Sequence, residues 1–258
     1  MLQVPVRITD AAGRVIERPI TVTAFQQPGK PPQPLLVLNH GRAVDVAGRA
    51  MLGRARYTNA SRWFASLGWS VWVPTRLGYG ASGTDVDPEE TGSCNTKRYA
   101  PGYLVAAEQV RQVIEYARGR PDIDGTKIAV AGVSVGGATS ITVASLDIPG
   151  VVAAINFAGG GGGNPDTRPG NPCGAEKLER MFGDYGKTAR VPTLWIYSEN
   201  DRWMGSRFPA QWFEAYRANG GTGEFLLLPA FGDDGHLLFS RGPQIWQPLV
   251  ERFLASLR

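Results

Sequence analysis

A chain of 258 residues, 43% hydrophobic and 19% charged, has the length and composition of one soluble α/β domain. No apolar run approaches the ~18–20 residues that span a bilayer, and the opening "MLQVPVRITD" lacks the basic-then-apolar order of a signal peptide. The net charge of +4 comes from 27 basic residues scattered among 23 acidic ones, without the one-faced clustering of a nucleic-acid binder, so no nucleic-acid partner is expected.

The chain opens on two alternating segments, "LQVPVRIT" and "RPITVTAF", separated by a glycine-bearing turn, which is the pattern of an antiparallel pair. "QQPGKPPQP" is a proline-rich surface connection. The unbroken apolar run "LLVL" predicts a strand covered on both faces and ends in the polar, glycine-bearing loop "NHGRAVDVAGRA". "NASRWFASLGW" spaces Trp63, Phe64 and Leu67 as a helix that stops at Gly68, and "SVWVP" is the next buried strand. "TRLGYGASGTDVDPEETGSCNTKRYAPG" has no periodic signal, and loops of that length are usually functional or irregular. A helix follows in "GYLVAAEQVRQVIEYARG", with Pro101 in an early turn.

The strand "TKIAVAG" then leads into the small-residue helix "VGGATSITVASL", and the strand "GVVAAINF" runs into a loop of glycines. A second irregular stretch passes through "CGAEKLERMFGDYG" to the strand in "VPTLWIYSEND". The helix "FPAQWFEAYRANGG", the strand "EFLLLP" and the terminal helix "PQIWQPLVERFLASL" complete the series. This alternation implies right-handed crossovers, a parallel sheet with helices on both faces, and one domain over residues 1–258.

In such a sheet ligands gather outside the carboxyl ends of the strands, so polar residues just past a strand carry the most weight. Gly132, Val133, Ser134, Val135 and Gly136 fit G-x-S-x-G between a strand and a helix, the context of a nucleophile elbow. The glycines make room for a sharp turn, and Val135 N–H falls at a helix N-terminus, where developing negative charge is favoured. A serine hydroxyl needs a base. The chain has two histidines, His40 and His236, and the order Ser134, Asp201, His236 is the one this architecture uses. Glu199, Asp233 and Asp234 are rival acids; Asp201 is preferred because it lies immediately past a strand. After "LLVL", His40 and Gly41 precede the loop expected to supply a second oxyanion donor, for which Arg42 N–H is the first choice and Gly41 N–H the second. His40 is expected to order that loop rather than act as base.

Cys94 and Cys173 both lie in polar, glycine- and proline-rich contexts, which points to a disulfide and with it an oxidising compartment, periplasmic or secreted; without the bridge a cytoplasmic enzyme is expected. No third or fourth thiol or imidazole is grouped with them, so no metal and no cofactor are expected.

Through "LLVLNHG", "VPTRLGYGASG", "GVSVGG", "VPTLWIYSENDRW" and "GDDGHLLF" the chain resembles the α/β-hydrolase superfamily, and within it the dienelactone-hydrolase-like esterases and their peptidase-like relatives. The resemblance implies a central, mostly parallel eight-stranded sheet and a metal-independent acyl-enzyme mechanism. Dienelactone hydrolases use a cysteine nucleophile, whereas position 134 is serine, which favours ordinary esters. No large cap domain is visible; the stretches around Cys94 and Cys173 are expected to form a small loop lid bridged by the disulfide. His40, Arg76, Tyr79, Trp203 and Met204 are pocket candidates by position, and the glycine run after the fourth buried strand is expected to let backbone approach the cleft. The expected function is a serine carboxylesterase acting on a small ester as a monomer. Peptidase, thioesterase or acyltransferase activity on the same triad stands as the alternative, and a non-catalytic binding protein as a third.

Overall fold

The computed structural model describes residues 1–27, 29 and 32–257. One eight-stranded sheet runs in the order β1-β2-β4-β3-β5-β6-β7-β8. Its strands are β1 (Leu2–Thr9), β2 (Val15–Phe25), β3 (Gln33–Asn39), β4 (Ser70–Thr75), β5 (Ile123–Val133), β6 (Val151–Phe157), β7 (Thr193–Ser198) and β8 (Gly223–Leu228). β2 pairs antiparallel with both β1 and β4, and every pairing from β4 through β3 to β8 is parallel. Within the connection before β3, Pro28, Lys30 and Pro31 lie outside the described residues.

The helices are α1 (Val46–Met51), α2 (Thr58–Ser66), α3 (Tyr99–Arg118), α4 (Val135–Ala144), α5 (Ala175–Thr188), α6 (Arg207–Ala218), α7 (Leu238–Arg241) and α8 (Pro243–Ala255). Successive residues of a strand point to opposite faces, and the central strands divide their side chains accordingly. Leu35, Val37, Ile128, Val130, Trp195 and Tyr197 join the core under α3, α4, α5 and α6. Leu36, Leu38, Ala129, Ala131, Leu194 and Ile196 join the core under α2, α7 and α8. Both faces are covered, which is why these strands read as continuous apolar runs.

Two helices lie where irregular chain was expected. α5 occupies the stretch through "CGAEKLERMFGDYG"; Leu178, Met181, Phe182 and Tyr185 line its buried side, but Gly183 and Gly186 dilute the helical signal. Those glycines serve packing, since a side chain at Gly186 would meet the Tyr216 carbonyl of α6 at 2.1 Å. The short α1 lies in the loop after β3, its start capped by Asp45, whose carboxylate accepts the Gly48 N–H.

Candidate active site

The sharp turn between β5 and α4 sets the geometry. Ser134 has φ 57° and ψ −126°, a strained conformation for a residue with a Cβ, of order 1–3 kcal/mol. It is held there by its N–H donating to Phe157 O (2.9 Å) and its carbonyl accepting from Ala138 and Gly160 N–H (3.2 and 3.3 Å). A Cβ at Gly132 would lie 2.2 Å from Gly136 O, and one at Gly136 2.3 Å from Asn39 O, so the spacing of the glycines follows from close backbone approach. Val135 begins α4, where the first amides have no partner within the helix.

Asp201, past the end of β7, is buried, and its two carboxylate oxygens hold different partners. Oδ1 accepts the Trp203 and Met204 N–H groups (2.8 and 2.9 Å), and Oδ2 lies 3.0 Å from His236 Nδ1. Of the rival acids, Glu199 and Asp233 are exposed. Asp234 caps the turn carrying the histidine, accepting the His236 and Arg202 N–H groups at 3.0 Å each. Trp203 stacks on the His236 ring with centroids 5.3 Å apart.

The loop after β3 runs against the serine: a Cβ at Gly41 would lie 3.2 Å from Ser134 Cβ. Gly41 N–H donates to the Tyr57 hydroxyl (3.3 Å). Arg76 N–H donates to His40 Nε2 (3.1 Å), which places the ring proton on Nδ1, and Nδ1–H donates to Gly41 O (2.7 Å). Burial, with repulsion from the Arg76 charge, holds the His40 pKa well below the usual imidazole range, so the ring is neutral.

Three pocket candidates are therefore relocated. His40, Arg76 and Tyr79 are fully buried behind the loop and face none of the cavities around Ser134. They fill a closed network centred on Glu89, which binds Arg76 Nε (2.6 Å) and the Tyr79 hydroxyl (2.9 Å), while Arg76 Nη1 donates to His40 O (3.1 Å). A charge following a strand turned inward here because a buried carboxylate awaited it from the long irregular stretch, which carries no local signal for Glu89. The Arg42 side chain is bound bidentately by Asp87 (2.8 and 2.6 Å).

Two cavities meet at Ser134, sharing Arg42, Ala43 and Trp203 as walls. One, of about 230 Å³, is bounded by Met204, the glycines 161–163 and both halves of the Cys94–Cys173 disulfide. The bridge thus ties the two irregular stretches together at the rim of this cavity. The glycine run packs backbone against side chains, since a Cβ at Gly161 would meet the Tyr103 hydroxyl at 2.7 Å and one at Gly163 the Trp203 carbonyl at 2.6 Å. Lys97 and Arg168 also line this cavity, although no motif or spacing in the sequence marks them. The other cavity, of about 260 Å³, is bounded by His236, Leu52, Tyr57, Leu237 and Phe239. Among the described residues no cluster of His, Cys, Asp or Glu is placed to hold a metal ion, and no helix is long and apolar enough to cross a membrane.

The parallel sheet, the strained turn after β5 and the polar residues past β7 and β8 define an α/β-hydrolase fold without a cap domain. The chain belongs to the dienelactone hydrolase family, whose model matches residues 42–220. That span includes Ser134 and Asp201 and ends before His236. The family is one of hydrolases, and no curated protein matches the chain. Among solved structures, a protein of Klebsiella pneumoniae subsp. pneumoniae assigned as a dienelactone hydrolase superposes with a TM-score of 0.65 at 16% identity, covering 99% of this chain and 98% of that one. An acetyl xylan esterase from Paenibacillus sp. R4 gives 0.63 at 18% identity, over 98% of this chain and 83% of its own. An acylaminoacyl peptidase of Pyrococcus horikoshii gives 0.64 at 17% identity over 97% of this chain, which spans 41% of that longer protein. At such identities the likeness is one of fold.

Proposed function

We propose that the protein is a serine carboxylesterase working through an acyl-enzyme. The observation that carries this reading is the Asp201–His236 contact of 3.0 Å, set across the 260 Å³ cavity from a strained Ser134 at a helix N-terminus. Ser134 Oγ attacks the ester carbonyl carbon as its proton passes to His236 Nε2, and Asp201 stabilises the imidazolium formed. The tetrahedral oxyanion is held by Val135 N–H and Arg42 N–H. Gly41 N–H, the runner-up donor, is engaged by Tyr57, which supports Arg42. A trans peptide points its C=O and N–H in opposite directions, so the bond from His40 to Gly41 O turns the Arg42 N–H away from the imidazole. His236 then returns the proton to the leaving alkoxide as the C–O bond breaks. A water, deprotonated by the same imidazole, releases the acid and restores Ser134. Serine in place of the family's cysteine supports ordinary esters as substrates.

Ser134→Ala is expected to lower kcat for p-nitrophenyl acetate by at least ~10⁴-fold, with the circular-dichroism spectrum unchanged. A variant that keeps more than about 1% of the wild-type rate overturns the assignment, because nucleophile loss costs far more than that.

A further inference from the structure

The two cavities that meet at Ser134 differ in chemistry, and only one of them touches His236. The leaving alcohol must take its proton from His236, so on the serine-esterase reading, on which this inference rests, the alcohol lies in the cavity walled by His236, Leu52, Tyr57 and Phe239. The acyl group, retained on Ser134, then occupies the disulfide-rimmed cavity.

That second cavity carries unpaired positive charge. Of the charged groups lining it, Arg42 is taken by Asp87 (with exposed Glu90 at 3.4 Å), and Glu89 is taken by Arg76. Lys97 and Arg168 have no carboxylate within 4.0 Å among the described residues. Lys97 Nζ donates to Thr91 Oγ1 (3.0 Å) and to Gly92 O (2.5 Å). Arg168 is delivered by a closed turn, in which its N–H donates to Asn164 O and Asn164 Oδ1 accepts the Asp166 and Thr167 N–H groups, each at 3.0 Å. One arm of its guanidinium rests on Cys94 Sγ, and its Nε is buried with no hydrogen-bond partner. A buried guanidinium N–H without an acceptor is rare in folded proteins, and the planar fork suits a carboxylate. Burial pushes the Lys97 pKa down; the Glu90 carboxylate pulls it back in part, and the nearby Arg42 and Arg168 charges lower it further.

We propose that the substrate is an ester of an apolar alcohol with a short acid whose far end bears a carboxylate, held by Arg168 and Lys97. At ~30 Å³ per water-sized group, the disulfide-rimmed cavity of about 230 Å³ takes an acyl group of about seven non-hydrogen atoms. A succinyl group fits that size, and a benzyl or short alkyl alcohol fits the other side.

Three esters test this: benzyl hydrogen succinate, with the carboxylate on the acyl side; benzyl butyrate, with none; and 3-(butyryloxy)propanoate, with the carboxylate on the alcohol side. The wild-type protein is expected to favour the first over the second by about tenfold or more in kcat/KM, the scale of a charge-assisted hydrogen bond, and to use the third least. Arg168→Gln and Lys97→Gln, made separately so that one folding failure is not decisive, are each expected to bring the first-to-second ratio toward one. A wild-type ratio of one or less, a preference for the third ester, or a ratio that survives in both folded variants overturns the proposal. Labelling with a fluorophosphonate, read by intact mass against Ser134→Ala, separates the two readings. A protein labelled at Ser134 that prefers the neutral acyl group refutes only the charged substrate. One that neither labels nor turns over any ester refutes the serine-hydrolase reading and this inference with it.

Discussion

Two cationic regions flank the loop that carries Gly41 and Arg42, and they are wired in opposite ways. Behind it, Arg76 and Glu89 are 0% and 2% exposed and joined at 2.6 Å. The polar groups around them are paired within the protein. Gln109 Oε1 accepts Leu77 N–H, Tyr79 bridges Arg42 and Glu89, and His40 reaches Gly41 O. In front of the loop, across the disulfide-rimmed cavity, Lys97 and Arg168 have backbone, hydroxyl and sulfur neighbours, and among the described residues no carboxylate forms an ion pair with them. A buried charge paired inside the protein fixes backbone; one left unpaired beside a cavity holds binding capacity in reserve for a ligand. The same residue types thus perform structural work on one side of the loop and are available for recognition on the other.

The sharpest way to break this contrast is to open the closed network. Arg76→Met is expected to lower the unfolding free energy by about 3–5 kcal/mol, because it strands the Glu89 carboxylate, only 2% exposed, without its ion partner. Urea unfolding followed by tryptophan fluorescence measures it. A loss below ~1 kcal/mol, the scale of a surface pair, would mean that the network is no more structural than the cavity wall.

The candidate catalytic residues were legible in the sequence and the charged groups on both sides of the loop were not, for a physical reason. Ser134, Asp201 and His236 each lie just beyond a strand whose apolar run is unmistakable, so chain order alone carried them to one edge of the sheet. The central strands were equally readable because both faces are buried. Cys94 and Cys173 stood out by their loop contexts. Glu89, Lys97, Arg168 and Tyr57 act through tertiary contacts made by aperiodic segments, where neither spacing nor neighbours mark a residue. Arg76 and Tyr79 show the converse error: position after a strand brought them to the correct edge but could not say whether they point outward or fold back onto Glu89. Trp203 and Met204 do line the disulfide-rimmed cavity, because Asp201 binds their amides and holds their segment beside it.

A subtler break lies at His40, a positioning residue for the Arg42 amide on the proposed mechanism. His40→Phe keeps the ring volume while removing the bonds to Gly41 O and from Arg76 N–H. It is expected to lower kcat for p-nitrophenyl acetate by about 10–100-fold, less than the ~10²–10³ for outright loss of an oxyanion donor, with KM changed less than threefold or so, since the amide acts on the transition state. A purely structural role predicts instead a lower melting temperature with kcat per folded molecule intact.

The smallest expected effect is one of pH, and it separates internally paired charges from those facing the cavity. Burial raises the Asp87 pKa, but the hydrogen bonds and charge of Arg42, with Arg49 at 3.2 Å, more than offset it and leave the carboxylate below its ordinary 3.8. A group whose folded pKa is depressed stabilises the protein fully above the unfolded value, and that contribution fades as pH falls through the folded one. Asp87→Asn is therefore expected to reduce stability at pH 7 and to make progressively less difference below the ordinary 3.8. The Lys97 pKa is also lowered, but for a base this disfavours the charged form: burial leads, the Arg42 and Arg168 charges add to it, and the Glu90 carboxylate only partly offsets them. Urea titrations of the wild type and Asp87→Asn at pH 7 and about pH 3 provide the comparison. An equal stability gap at both would show that hydrogen bonding through the neutral side chain, and not the ionised carboxylate, holds Arg42 in place.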